Sequence, residues 1–323
     1  MCIRDRYMSF FPKLSQGPIT RYRDINGQID SRECNIDKFY NGVTRFIIGL
    51  AKKVIIADQI GYVVDQIFSK SPTENSIAIA WIGAICYTIQ IYFDFSGYSD
   101  MAIGLGKMFG FEFMENFNYP YISKNLTEFW RRWHISLSTW FRDYVYIPLG
   151  GNRSGNMYFN LFVVFLVTGI WHGAAWNFII WGLWHGLFLI IEKILKVKNI
   201  KIKSPVFIKQ LYTILIVLLG WVLFRAPNLN YAINYIGVMF GLVAVKNAGF
   251  TVFWYLTPKI ITLIILALIA SIPLKEVFEN TYKAVENTYL EFIGKNLYLI
   301  VIFVISIMCV MTSTYNSFIY FKF

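Results

Sequence analysis

The sequence predicts an all-α, polytopic transmembrane protein, and three observations carry that expectation. Of its 323 residues, 56% are hydrophobic and only 15% charged, with a mean hydropathy of +0.49. A soluble domain of this length needs more charge to cover its surface. Uncharged apolar stretches recur, several close to the ~20 residues that a helix needs to cross a hydrocarbon core. Finally, the lysines gather beside those stretches: Lys193, Lys196, Lys198, Lys201, Lys203 and Lys209 lie between two of them. That is the positive-inside pattern, which places this loop in the cytoplasm. The net charge of +11 therefore reports membrane orientation and argues against nucleic acid as a partner.

The expected spans are residues 76–93, 157–171, 174–191, 211–224, 231–245, 250–272 and 297–311. Residues 44–68 form a weaker one, interrupted by Lys52 and Lys53, so one of its faces must be polar or interfacial. Counting spans back from the lysine-rich loop puts residues 124–153 in the cytoplasm as well, and counting forward puts residues 275–295 outside. Four scattered cysteines offer no Cys-x-x-Cys pair and imply no disulfide framework. The opening "MCIRDRY" has no apolar run after it and is not a signal peptide. Residues 1–8 are expected to be a non-native start, followed by one membrane domain over residues 9–323.

The stretch "LTEFWRRWHISLSTWFRDYVYIPLGG" has Asn125 or Thr127 as its N-cap and ends at Pro148 and Gly150. On one helix, Trp130, Trp133, Leu137, Trp140, Phe141 and Tyr144 share a face, with Arg131, His134, Ser138 and Arg142 along its edge. Such a helix suits the membrane interface, either as an anchor or as an entrance where His134, Arg131 and Arg142 meet an anionic cytoplasmic ligand. Ionisable groups inside spans usually serve a function. Asp94 and Asp100, six residues apart, fall on different helix faces and are expected to hold helix ends or pair with arginines. Asp94 is also carried as a candidate substrate-binding residue.

The segment "GIWHGAAWNFIIWGLWHG" places two of the three histidines thirteen residues apart. Residues 157–195 are too long for one span, and Gly169 and Gly173 mark the expected break, beside His172. On an unbroken helix His185 would lie ~20 Å further along and on nearly the opposite face, so the pair cannot share a metal without a sharp fold-back. With three histidines and no cysteine partner, a metal site is not supported. His185 is expected to be buried and hydrogen-bonded. His172, with Gly173, Ala174 and Ala175 beside it, Asn177 beyond it and Trp171 and Trp176 as walls, is expected to face a ligand cavity. A neutral imidazole suits a general base acting on a hydroxyl.

"FWRRWHISLSTWFRDYVYIPLGGNR" and "GIWHGAAWNFIIWGLWHG" closely resemble the membrane-bound O-acyltransferase family, in particular its bacterial branch concerned with polysaccharides such as alginate. "SFFPKLSQGPITRY", "QIYFDFSGYSDMAIGLGKMFGF" and the final "YNSFIYFKF" resemble the same branch. The resemblance implies a ring of tilted helices around a tunnel, His172 as the catalytic histidine and His134 as the second histidine of the tunnel. It further implies acetyl transfer from a cytoplasmic thioester, such as acetyl-CoA, toward hydroxyls of an exported polysaccharide. A periplasmic SGNH-type acetyltransferase is the implied partner, the bacterial inner membrane the location, and no bound cofactor is needed. Members of the branch carry further spans before "SFFP", which are expected to be missing here. The alternatives are D-alanyl transfer to teichoic acid, a transporter or flippase without acyl chemistry, and a structural scaffold.

Overall fold

The computed structural model describes residues 7, 10–13, 17–200, 203–246, 249–277 and 289–312. The first six residues, most of the 275–295 loop and the closing "YNSFIYFKF" lie outside the described residues. All regular structure among the described residues is helical, as expected of an all-α membrane protein. Among the described residues, four helices are long and apolar enough to cross a membrane.

Helix α1 (Tyr22–Ser31) precedes a long rod made of α2 (Ile36–Ala51), a π-helical turn (Lys52–Ala57) and α3 (Asp58–Phe68). Asn35 caps the rod by accepting from Lys38 N at 2.8 Å, which supplies one of the orphan donors of a helix start. The rod lies along α4 (Ile77–Met108), and glycines set the spacing. A Cβ on Gly42 would sit 2.7 Å from Gly104 O, and one on Gly49 would sit 2.6 Å from Gly97 O. Backbone therefore meets backbone at two points seven residues apart on each helix, the close approach that small residues allow between membrane helices.

The lysines that interrupt the apolar pattern of residues 44–68 face this seam. Lys53 Nζ lies 2.7 Å from Asp58 Oδ1 and 2.5 Å from Asp94 Oδ1. Lys52 Nζ lies 2.7 Å from Asp100 Oδ2, and Arg45 Nη2 lies 2.7 Å from Asp100 Oδ1. Helix α4 runs on for fifteen residues past the expected end at residue 93, because Asp94 and Asp100 are neutralised in place rather than pushed into a loop. Asp94 and Asp100 do fall on separate faces, each with its own cationic partner.

The expected single interfacial helix is two. Helix α5 (Leu126–Arg132) ends where His134 takes a left-handed backbone, φ 44°, and α6 (Ile135–Phe141) starts in a new direction before a π turn at Arg142–Tyr146. Asn125 is the N-cap, accepting from Glu128 N at 2.7 Å. The kink dissolves the tryptophan face: Trp133 is 2% exposed and packs in the core against Trp221, tilted by 44° at 4.8 Å, whereas Trp140 is exposed.

Helices α7 (Met157–His172) and α8 (Trp176–Val197) form a tight antiparallel hairpin, so the chain does fold back beside His172. A Cβ on Gly182 would come within 2.3 Å of Phe165 O, and one on Gly173 within 2.7 Å of the Phe178 ring. Sixteen residues give α7 a length of ~24 Å, short of the ~30 Å hydrocarbon thickness. Helix α9 (Val206–Arg225) packs on α8 and α4. The expected span at 231–245 is instead the 11-residue α10 (Leu229–Met239). The one at 250–272 is split by Pro258 into α11 (Val252–Tyr255) and α12 (Pro258–Ala270). A short α13 (Leu274–Val277) follows, and α14 (Tyr289–Thr312) lies against α2.

Candidate active site

The kink between α5 and α6 buries His134, which is 5% exposed. The fully buried Asn116 organises it. Asn116 O accepts from Ile135 N at 3.0 Å, and Asn116 Oδ1 accepts from Ser136 N at 3.3 Å and from Ser136 Oγ at 2.9 Å. A backbone N–H can only donate, so the atom facing it must be the amide oxygen. His134 Nδ1, 3.0 Å from that same oxygen, must then carry the proton. Nδ1–H is thus committed to Asn116, and in the neutral ring Nε2 holds the lone pair. Phe95 meets the imidazole edge-on at 4.7 Å.

His172 closes α7 among Trp171, Trp181 and Phe224, with ring centroids 4.8, 5.0 and 5.1 Å away, all edge-to-face. Trp181 carries this cluster on to Trp221, 6.1 Å away, and Trp221 lies 4.8 Å from Trp133, the residue before His134. Two histidines 38 residues apart in sequence thus share one region, brought there by the α5–α6 kink and the end of α7. Trp181 stands between His172 and His185, 5.0 and 5.3 Å from each. The fold-back therefore does not make the two Trp-His-Gly histidines a bidentate pair. Among the described residues no three His, Cys, Asp or Glu side chains gather as metal ligands.

His185 differs from its expectation in one respect. It is buried, at 0% exposure, yet both ring nitrogens lack a hydrogen-bond partner among the described residues. Its ring is boxed edge-on by Trp130 at 5.1 Å and Trp181, and the α9 backbone at Gly220 presses on it, because a Cβ there would come within 2.5 Å of Nε2.

Of the other expected site residues, Asn177 is 2% exposed and donates through Nδ2 to Ala226 O at 2.9 Å. Trp171 is half exposed. Arg131 and Arg142 do not line His134: both are exposed, and Arg142 Nε is 2.7 Å from Asp143 Oδ1. The kink separates them, since it turns His134 inward from the strip that a straight helix would form. Asp94 is held by Lys53 as described. Arg142, and next Arg21, hold the Asp143 carboxyl below its ordinary value of 3.8. Asn116 escaped sequence reasoning because its partners lie 18 and 20 residues away and no local pattern announces them.

The profile of the membrane-bound O-acyltransferase family matches residues 6–233. The chain is 52% identical over 238 residues to the probable alginate O-acetylase AlgI of Pseudomonas putida, a match that covers 72% of this chain and 48% of that protein. It is 40% identical over 247 residues to the peptidoglycan O-acetyltransferase of Helicobacter pylori, covering 74% and 47%. It is 36% identical over 188 residues to the teichoic acid D-alanyltransferase of Bacillus subtilis, covering 54% and 47%. The chain spans about half the length of the curated relatives it matches.

Proposed function

This chain belongs to the membrane-bound O-acyltransferase family, and on that premise we propose that it moves an acetyl group from a cytoplasmic thioester to a hydroxyl acceptor destined for an exported, alginate-like polysaccharide. The observation that carries the reading is that His134 and His172 border one aromatic cluster through Trp133, Trp221 and Trp181, with His134 Nδ1 held by Asn116. In this reaction the acceptor oxygen bonds to the thioester carbonyl carbon while the carbon–sulfur bond breaks. The proton leaving the hydroxyl passes to His172, acting as general base, and from there to the departing thiolate.

As a neutral ring His134 offers a lone pair at Nε2, which suits an N–H or O–H of the donor rather than an anion. Any phosphate of the donor falls instead to the exposed Arg131 and Arg142 on the basic, cytoplasmic side. Trp171 and Trp181 shield the reacting carbon from lipid. Acetyl-CoA fits as donor, the bacterial plasma membrane as location, and a periplasmic SGNH-type protein as the step that finishes transfer to the polymer. Asp94 would act on the donor only through Lys53.

The identity to alginate and peptidoglycan O-acetylating relatives is higher and longer than that to D-alanyltransferases, which favours acetyl over D-alanyl as the acyl group. The test is the O-acetyl content of exported polysaccharide in cells that lack their own subunit and carry this protein as wild type or His172→Ala at matched membrane levels. Restoration by wild type alone is the expected result. Equal acetylation by both would remove His172 from the mechanism, and none by either would favour D-alanyl transfer or transport.

A further inference from the structure

Behind Asn116, the contacts that hold His134 continue into the seam between α2 and α4. Two neighbouring pairs of residues meet there: Ser99 and Asp100 on α4, and Glu115 and Asn116 on the segment that leads from α4 toward α5. Successive residues of a helix point ~100° apart, so Ser99 and Asp100 serve different partners. Asp100 faces the seam, where its Oδ1 accepts from Arg45 Nε at 3.0 Å and from Arg45 Nη2 at 2.7 Å. Ser99, 1% exposed, faces Asn116, and its Oγ accepts from Asn116 Nδ2 at 3.0 Å.

Arg45 holds more than Asp100. Its Nη1 and Nη2 also donate to Glu115 Oε1 and Oε2. One guanidinium from α2 therefore clamps a carboxylate of α4 to a carboxylate next to Asn116, a use of the planar fork that a lysine cannot reproduce. On its other side the same segment is tied to the α5–α6 kink. Asn118 N donates to Arg132 O at 2.9 Å, Arg132 Nη1 donates to Asn118 O at 3.1 Å, and Phe117 meets the Trp133 ring edge-on at 5.0 Å. The backbone at Asn116 is fastened from both directions, and its amide has one orientation: Nδ2 toward Ser99, Oδ1 toward Ser136 and His134. Turned end for end, the amide would set Nδ2 against the Ser136 N–H, donor against donor. The tautomer of a neutral imidazole is set by the hydrogen bond that one of its nitrogens makes, so whatever orients Asn116 also sets His134.

We propose that Ser99 and Glu115 are positioning residues for His134: Ser99 fixes the Asn116 amide, Glu115 fixes the Asn116 backbone through Arg45, and together they decide which imidazole nitrogen is left bare. Both act through Asn116. The effect on the tautomer stands on the geometry, and its consequence for catalysis rests on the acyl-transfer reading above.

The test uses the purified full chain in lipid nanodiscs, with the histidine ring nitrogens labelled with nitrogen-15 and observed by NMR. Protonated and bare ring nitrogens resonate far apart, and with three histidines in the chain the His134 signals are those lost in His134→Gln. Wild type should show one His134 form, protonated at Nδ1 and bare at Nε2. Ser99→Ala should turn it into a mixture of both tautomers. Glu115→Ala should do the same to a smaller extent, and Glu115→Asp, which keeps a carboxylate for Arg45, should restore the single form. The Glu115 side chain is 53% exposed, so its variants keep the test decisive if Ser99→Ala fails to fold. In the cellular assay above, Ser99→Ala should also slow O-acetylation per folded molecule about ten-fold. A purely structural role would reduce the amount of folded protein and leave the tautomer as it is. The single Nδ1–H form retained in both folded Ser99→Ala and folded Glu115→Ala would overturn the assignment, as would a wild type protonated at Nε2 alone. A change in Ser99→Ala with none in Glu115→Ala would overturn the role of Glu115. Mixed tautomers in both variants, beside a wild type that acetylates nothing, would uphold the positioning and strike at the acyl-transfer reading instead.

Discussion

The seam between α2–α3 and α4 and the cluster formed by α5, α7, α8 and α9 both bury polar groups in a mostly apolar protein, but they treat them in opposite ways. In the seam every buried carboxylate faces a cation: Asp58 and Asp94 face Lys53, and Asp100 faces Lys52 and Arg45. In the cluster, the Asn177 oxygen, both His185 nitrogens and the Trp130 and Trp181 indole nitrogens lack hydrogen-bond partners among the described residues. Buried ions that satisfy one another hold helices in register, whereas buried polar atoms left unsatisfied keep capacity for something that arrives later. The difference lies in the ions, since Thr44 Oγ1 and Ser96 Oγ on the seam helices also lack hydrogen-bond partners among the described residues.

The sharpest way to break the comparison is at the reactive side. His172→Ala is expected to lower acyl transfer by 10²–10⁴-fold, or about 3–5 kcal/mol of barrier, while thermal unfolding of the purified protein changes little. Asp94→Ala should do the reverse. It removes one carboxylate from a cluster in which Lys53 is 6% exposed, and breaking a buried ion pair costs about 3–5 kcal/mol, read as a lower melting temperature and less folded protein in the membrane. Lost activity per folded molecule, with stability intact, would move Asp94 from the seam to the donor site.

Gly49→Leu probes the same seam through packing. The added side chain must displace the α4 backbone at Gly97, an overpacking cost of about 1–3 kcal/mol or more, measured by the same unfolding assay. Asn116→Leu crosses between the two regions, because it removes the hydrogen bond that fixes the His134 tautomer. We expect a stability loss of about 1–3 kcal/mol together with a fall in kcat/KM that His134→Gln would not deepen when combined with it.

The smallest effect is expected at the surface. Arg23→Ala deletes a pair to Asp143 from a side chain that is 62% exposed, worth about 0–1 kcal/mol. Because the Asp143 carboxyl is held low by Arg142 and then Arg21, its contribution is full above the ordinary carboxylate pKa. It is lost as pH falls through the lowered native value, so an acid titration of stability should show this tie failing only below about pH 4.

Much of this was legible in the sequence because it depends on composition and local pattern. The apolar runs announced the helices, Gly169 and Gly173 announced the hairpin break, and the Trp-His-Gly and Arg-Arg-Trp-His motifs pointed to His172 and His134. The periodicity argument failed over residues 126–146, where it assumed a straight helix. One left-handed residue at His134 redirects every side chain after it, and nothing in the spacing of tryptophans encodes that angle. Asn116 was invisible for a related reason: its importance lies in partners that are far away in the chain.

The sequence by itself determined the solvent and the helical class and singled out the histidines as candidates, since each follows from burial cost or local chemistry. Only the tertiary structure decided which polar residues are spent on one another and which remain available. That choice depends on contacts between distant helices, where a glycine that lets two backbones meet or an amide that fixes one tautomer sets distances of a few tenths of an ångström.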